Sequence, residues 1–110
     1  MDFKTTTRLA LAGFALSGIL TTPAFAADAD GKALYAEKMC VTCHGDEGKK
    51  PILSSYPKLS GQNKEYLVAQ TKMIKDGTRS GGQTAAMKAL VTNLSDEDIE
   101  AISEYLAAVE

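Results

Sequence analysis

Five consecutive residues, Cys40-Val41-Thr42-Cys43-His44, constrain the fold of this 110-residue chain more than any other feature. Two cysteines separated by two residues and followed directly by a histidine form the pattern that attaches a c-type haem. A chain that carries such a group must fold around a large, flat and mostly apolar ring. The motif therefore predicts a small domain built around one haem c, with one-electron transfer as the expected function.

The order and spacing of the motif suit this chemistry. On a helical turn, residues three positions apart lie on one face, so Cys40 and Cys43 can both reach the vinyl groups at one edge of the ring. His44 follows the second sulfur directly and can bring its imidazole to the iron as the proximal ligand. Thioether bonds to both cysteines would make the haem a permanent part of the protein.

Three other interpretations of the motif are open at this point. A Cys-x-x-Cys pair can be a thioredoxin-like dithiol, but that needs a βαβ context, and no strand-like alternation of apolar residues supplies one. A zinc site normally needs four ligands, whereas Cys40, Cys43 and His44 are the only cysteines and histidine in the chain. A structural disulfide in an oxidising compartment would leave His44 unexplained.

The N-terminus predicts the compartment. Lys4 and Arg8 form a basic region, residues 9–20 form an apolar run, and Ala24-Phe25-Ala26 is a small-x-small cleavage site, which together are typical of a secretory signal peptide. The apolar run is well short of the roughly 20 residues that span a bilayer. We therefore expect cleavage after Ala26 and export to the bacterial periplasm through the general secretory route.

The expected products are a cleaved leader of residues 1–26 and a soluble mature domain of residues 27–110 without a membrane span. These 84 residues allow one small domain, which buries little surface by itself, so a haem would supply much of its core. The mature chain has 13 acidic and 10 basic residues, a net charge of −3. No basic run exceeds Lys49-Lys50, so nothing favours nucleic-acid binding.

Capping residues and periodicity predict helices joined by one long loop. Asp30 or a neighbour can start a first helix that leads into the haem motif. Residues 45–61 are rich in Gly, Pro, Ser and Lys and have no helical period, so we expect an extended loop that covers one haem face. Asn63 can cap a second helix, which ends at Gly77.

The C-terminal third carries the clearest helix signals. A short helical piece is expected around residues 84–91. Ser95 then caps a final helix, and Asp98 completes a capping box three residues later. The buried stripe of this helix is expected to consist of Ile99, Ile102, Leu106 and Val109.

Successive blocks along the mature chain resemble class I c-type cytochromes. These blocks are GKALYAEKMCVTCH (31–44), YPKLSGQ (56–62), YLVAQTKMIKDGTR (66–79), Met87 and LSDEDIEAISEYL (94–106). The chain looks most similar to the small soluble bacterial branch, which includes monohaem carriers and dihaem proteins built from two such domains. The resemblance implies an all-α, cytochrome c-like fold in which helices and loops wrap around one covalently bound haem.

The resemblance also implies roles for single residues. Met87, seven residues before Leu94, stands where the family places its distal methionine ligand. Pro57, in a Pro-x-Leu-x-Gly pattern, matches the proline whose carbonyl accepts a hydrogen bond from the proximal imidazole, here that of His44. The positions at which the first and last helices of the family contact each other correspond to Gly31, Tyr35, Ile102 and Tyr105.

Other methionines could in principle take the place of Met87. Met73 lies on the apolar stripe of the second predicted helix, where methionine is usually a packing residue. Met39 precedes Cys40 on the proximal side and cannot easily reach the distal face. The predicted cofactor-binding residues are therefore Cys40, Cys43, His44, Met87 and Pro57, with His44 and Met87 bound to the metal.

An iron with both axial positions filled has no open site for a substrate, so the resemblance implies a one-electron carrier and not an enzyme. We expect a monomer that contacts periplasmic or membrane-bound redox proteins transiently at the haem edge, over less than about 1,200 Å². Two alternatives are open. The chain could be a fixed haem subunit of a larger oxidoreductase, or a haem domain with a labile sixth ligand for gas sensing or peroxide chemistry.

Overall fold

The structure, a computed structural model, describes residues 30–110 together with Gly13 and Gly18. This part of the chain contains five α-helices, a single 3₁₀ turn and no strands, so the prediction of an all-α fold is confirmed. The helices are α1 (Gly31–Glu37), α2 (Cys40–His44), α3 (Lys64–Asp76), α4 (Thr84–Val91) and α5 (Asp96–Ala107), and the 3₁₀ turn covers Asp46–Gly48. The predicted leader of residues 1–26 lies outside the described residues except for its two glycines.

Side-chain caps start three of the helices at the predicted residues. The Asp30 carboxylate accepts hydrogen bonds from the first turn of α1, and the Asn63 side chain accepts one from Tyr66 N at 3.0 Å. At α5 the capping box is complete, because Ser95 Oγ accepts from Asp98 N and Asp98 Oδ2 accepts from Ser95 N. Each cap satisfies amide donors that lack partners inside the helix.

The first helix does not run into the haem motif without interruption. It ends at Glu37 with Lys38 as its cap, and Met39 has a φ angle of 66°, in the left-handed region that few residues other than glycine adopt. Helix α2 starts at Cys40, directly after this residue. The break separates the helix that packs into the core from the helix that carries the two cysteines.

The two terminal helices of the domain cross at Gly31. A Cβ atom built on Gly31 would lie 2.1 Å from Ala101 O of α5, so only glycine allows this approach. Tyr35 of α1 is buried, and its ring lies 5.9 Å from that of Tyr105 in a tilted arrangement. The predicted contact of the first and last helices is therefore present.

Helix α5 supplies the centre of the core. Its buried residues include Ile99, Ile102 and Leu106, whereas Val109 lies beyond the helix and is half-buried. Helix α3 packs against α5 and presents Leu67 and Ile74, and α4 packs against α3 and presents Val91. Of the helices in the described part of the chain, none has the length and apolar character needed to cross a bilayer.

Candidate functional site

The domain contains a cleft of about 390 Å³ that no residue of α5 lines. Its walls are α2, the segment 55–62, α3 and the segment 79–91. All five predicted cofactor-binding residues line it, namely Cys40, Cys43, His44, Pro57 and Met87. A smaller cavity of about 50 Å³ connects Cys40, His44 and Met87 with the core residues of α5. The fold thus brings together side chains that are up to 47 positions apart in the sequence.

Helix α2 presents both cysteines to the cleft. The two thiols are free and half-buried, and burial raises the pKa of Cys40 above the ordinary value of a thiol. The helix ends at Gly45, where a Cβ atom would lie 2.1 Å from Lys50 O. Tyr35 Oη donates a hydrogen bond of 2.6 Å to Gly45 O, so the core tyrosine of α1 fixes the end of the cysteine helix.

His44 is only 7% exposed and is held by one hydrogen bond. Its Nδ1 lies 3.0 Å from Pro57 O. A carbonyl oxygen can only accept, so Nδ1 must carry the proton, and Nε2 keeps its lone pair for a metal. Burial lowers the pKa of His44, and the bond to Pro57 only partly opposes this shift, so the imidazole is held in the neutral form that binds metals.

Met87 lines the cleft from α4. Met73 does not line it; its Sδ lies 3.8 Å from Gln70 Nε2 on α3. Met39 also lines the cleft, but it is 53% exposed and lies next to Cys40. Met87 is half-buried and packs against the core, whereas Met73 is half-buried outside the core cluster of the described residues. Whether Met87 binds iron stays a prediction.

Several polar residues line the cleft that the sequence analysis did not single out. Arg79 Nη1 donates to Gln70 Oε1 at 3.0 Å, and Ser55 Oγ donates to Gln83 Oε1 at 3.0 Å. Among the described residues that line the cleft, Lys38 and Arg79 are cations and none is a carboxylate. A search for cations near the predicted helix ends could have found Arg79, but not its pairing with Gln70, which depends on how α3 ends.

The cleft suits a haem by its lining as well as by its ligands. Apolar walls come from the buried residues Leu67, Ile74, Val91 and Leu94, which match the flat faces of a porphyrin. The cations suit its two carboxylates, and the two thiols lie on one helix as thioether formation requires. Tyr66 also lines the cleft and is 52% exposed.

Comparisons with known proteins agree with this geometry. The family model for cytochrome c matches residues 29–110. The chain is 42% identical to cytochrome c-554(548) of Halomonas halodenitrificans over 64% of its own length and 84% of that relative. It is 39% identical to cytochrome c4 of Pseudomonas aeruginosa over 84% of its own length, but it spans only 42% of that protein.

A further relative has a name that specifies an electron source. The chain is 37% identical to a thiosulfate dehydrogenase electron acceptor of Stutzerimonas stutzeri, over 64% of its own length and 32% of that protein. Less than half of this relative is therefore matched, as for cytochrome c4.

Proposed function

This chain belongs to the cytochrome c family and carries covalent haem c, and we propose that it is a one-electron carrier in which His44 and Met87 would hold the haem iron. The haem, attached through Cys40 and Cys43, supplies an iron that changes oxidation state by one electron. The chain supplies the iron ligands and the apolar walls of the cleft, and its fold orients them. Haem-based electron carriage is the function of the family, and the ligand set is our proposal.

The observation that carries the proposal is the hydrogen bond between His44 Nδ1 and Pro57 O. It fixes the tautomer, orients the ring and leaves Nε2 free, which is the arrangement that metal-bound histidines commonly use. His44 and Met87 line the same cleft and the same smaller cavity. An imidazole and a thioether that share this space would both be available to hold a haem iron, and an iron held by both would offer no coordination site to a substrate.

The apolar walls of the cleft support rapid electron transfer. Leu67, Ile74 and Val91 are buried in helices that pack against one another, so they exclude water while moving little between the two oxidation states. Little reorganisation of the protein is then needed for each transfer. The chain itself catalyses no bond change in this proposal.

We also propose where the carrier works and what it meets. Residues 1–26 direct export and are removed, and residues 27–110 act as a monomer in the periplasm, the usual compartment of bacterial c-type cytochromes. The partners are periplasmic or membrane-bound redox proteins that contact the haem edge transiently. Relatives named as electron acceptors of thiosulfate dehydrogenase support an oxidoreductase as one donor class.

An optical spectrum tests the ligand proposal most directly. We expect the ferric protein to show the weak charge-transfer band of a thioether bound to haem iron, near the red edge of the visible spectrum. Extraction with acid and acetone should leave the haem with the protein, because thioether bonds survive this treatment. A spectrum without the band would refute Met87 ligation and favour an iron with an open sixth position.

The donor class is tested separately. Purified carrier in the ferric state is mixed with thiosulfate dehydrogenase and thiosulfate, and reduction is followed by absorbance. Reduction that depends on both additions supports this donor, whereas a rate equal to that with thiosulfate alone excludes it. Either result leaves the ligand proposal unaffected.

A further inference from the structure

Helix α4, which carries Met87, is attached differently at its two ends. Before its first residue, Gly81 and Gly82 have positive φ angles, and no atom lies within 4 Å of a Cβ built on either. Gln83 is the N-cap residue of α4, and its side chain makes no capping hydrogen bond to the helix. Two side-chain hydrogen bonds lie at this end among the described residues, and both are exposed: Ser55 Oγ donates to Gln83 Oε1, and Thr84 Oγ1 donates to Gly81 O at 2.7 Å. The N-terminal end of α4 is therefore weakly held.

The C-terminal end of α4 is held much more firmly. Val91 is buried, and Leu94 N donates to Val91 O at 3.0 Å in the tight turn that follows the helix. Leu94 is also buried and lines the cleft. The position of Met87 in the cleft is consequently determined mainly from the side of this turn.

One side chain from another helix fixes the turn. Lys75 lies in the last turn of α3, and its Nζ donates a hydrogen bond to Leu94 O at 2.5 Å in a partly buried position. A charged donor on a partly buried carbonyl is stronger than a bond between neutral groups. It joins α3, whose residues line the cleft, to the turn after α4, whose Leu94 also lines it.

The neighbouring cation on α3 has no such effect on the turn. Lys72 Nζ lies 3.7 Å from Asp96 Oδ2, and both side chains are well exposed. Exposed ion pairs of this kind contribute little. Lys72 thus carries the same charge on the same helix, three residues earlier, without contacting the Leu94 carbonyl.

We propose that Lys75 is a positioning residue for the sixth ligand, because its hydrogen bond to Leu94 O holds the α4 segment so that Met87 stays on the iron. The inference rests on the proposed function of Met87. Without this bond, buried Val91 and Leu94 alone hold this end, and α4 shifts more readily about the glycines at its other end. The iron–thioether bond then opens more often, and small ligands can take its place.

The test uses ferric holoprotein and imidazole as the competing ligand. Lys75→Met keeps the aliphatic stem but removes the donor, and we expect it to bind imidazole about tenfold more tightly than wild type. Lys72→Met is the matched control and should stay within about twofold of wild type, as expected for loss of an exposed ion pair. Lys75→Arg retains a donor and should restore weak imidazole binding.

If Lys75 has a purely structural role, Lys75→Met lowers the unfolding temperature without changing the affinity for imidazole. Equal affinities of Lys75→Met and Lys72→Met would overturn the inference, whatever their stabilities. If Lys75→Met does not yield folded holoprotein, the comparison uses Lys75→Gln and Lys72→Gln instead. The glutamine side chain is too short to reach the Leu94 carbonyl. Failure of the underlying proposal gives a different result: if Met87 is not the iron ligand, Met87→Ala retains the thioether band.

Discussion

A single hydrogen bond decides what His44 can bind. A free imidazole exists in two tautomers and, near neutral pH, in a charged form as well. Burial disfavours the charged form, and the Pro57 carbonyl selects the tautomer with its proton on Nδ1. The fold therefore places His44 in the neutral, Nδ1-protonated form that binds a metal through Nε2. A solvent-exposed His44 would not be restricted to this form.

The two cysteines lead to a first prediction at this scale. Mature wild-type protein should have the mass of the chain plus one haem, because both thiols lie on α2 at the cleft. The variant Cys43→Ala should keep its haem through Cys40 alone, and the double variant with Cys40→Ala should release all haem into acidic acetone. Intact-mass spectrometry of the three proteins measures this. Wild-type protein with two free thiols, after expression with a haem-attachment system, would contradict the prediction.

Met87 and Met73 lead to a second prediction. Met87→Ala should abolish the thioether band, lower the reduction potential and open the iron to small ligands. Met73→Leu should retain the band, because Met73 lies outside the cleft and a swap of similar volume costs less than about 1.5 kcal/mol. Absorbance spectra and redox titration distinguish the two variants. Loss of the band in Met73→Leu, with Met87→Ala unaffected, would exchange their roles.

At the scale of elements, the sequence predicted the helices whose ends carry side-chain caps. Asp30, Asn63 and Ser95 start α1, α3 and α5 as expected, because a cap is a local interaction that a few neighbouring residues determine. Gly77 ends α3 in the left-handed conformation, also as expected. Local chemistry was sufficient for these boundaries.

Features that depend on distant parts of the chain were not predictable in this way. The left-handed Met39 breaks the expected continuous helix, and nothing about methionine favours that conformation. The loop 45–61 contains a 3₁₀ turn whose Gly48 would meet Leu106 of α5 if it carried a Cβ. Tyr66 faces the cleft and not the core. Each of these depends on packing that appears only when the helices are assembled.

The crossing of α1 and α5 gives a prediction in which two effects have opposite signs. Helix propensity alone says that Gly31→Ala stabilises the protein by up to about 1 kcal/mol. The added methyl group would instead collide with the Ala101 carbonyl, and overpacking of this kind costs about 1–3 kcal/mol. We therefore expect net destabilisation.

Urea unfolding of the ferric holoprotein measures this effect. The exposed Lys32→Ala, on the same helix, is the control and should change stability by less than about 0.5 kcal/mol. A Gly31→Ala variant as stable as wild type would mean that the two helices can separate at no cost, contrary to the described crossing.

Over the whole molecule, charge is distributed unevenly. The mature chain is expected to carry a net charge of −3, yet five carboxylates lie on α5, and no residue of that helix lines the cleft. The lining carries Lys38 and Arg79 instead. A partner that approaches the cleft therefore meets a less negative surface than the net charge suggests, which matters because charge steers encounter more than it sets affinity.

Export and assembly state give the prediction that belongs to this scale. Protein recovered from the periplasm should begin at Ala27, because the apolar run of residues 9–20 is followed by a small-x-small cleavage site. This mature protein should also elute as a monomer. Intact mass and light scattering on a sizing column measure both properties. A mass that includes residues 1–26 in the functional holoprotein would show that the leader is retained.

The crossing at Gly31 also determines when the fold can be completed. Synthesis begins at the N-terminus, so α1 and the cysteines appear first, while the helix that must pack on α1 is the last to be made. Contacts this far apart in sequence form only after the intervening chain is available. Until α5 arrives, α1 lacks its partner, and Gly31 and Tyr35 have nothing to pack against. The chain thus has an interval, set by its own topology, in which the haem motif is complete but the core of the domain is not.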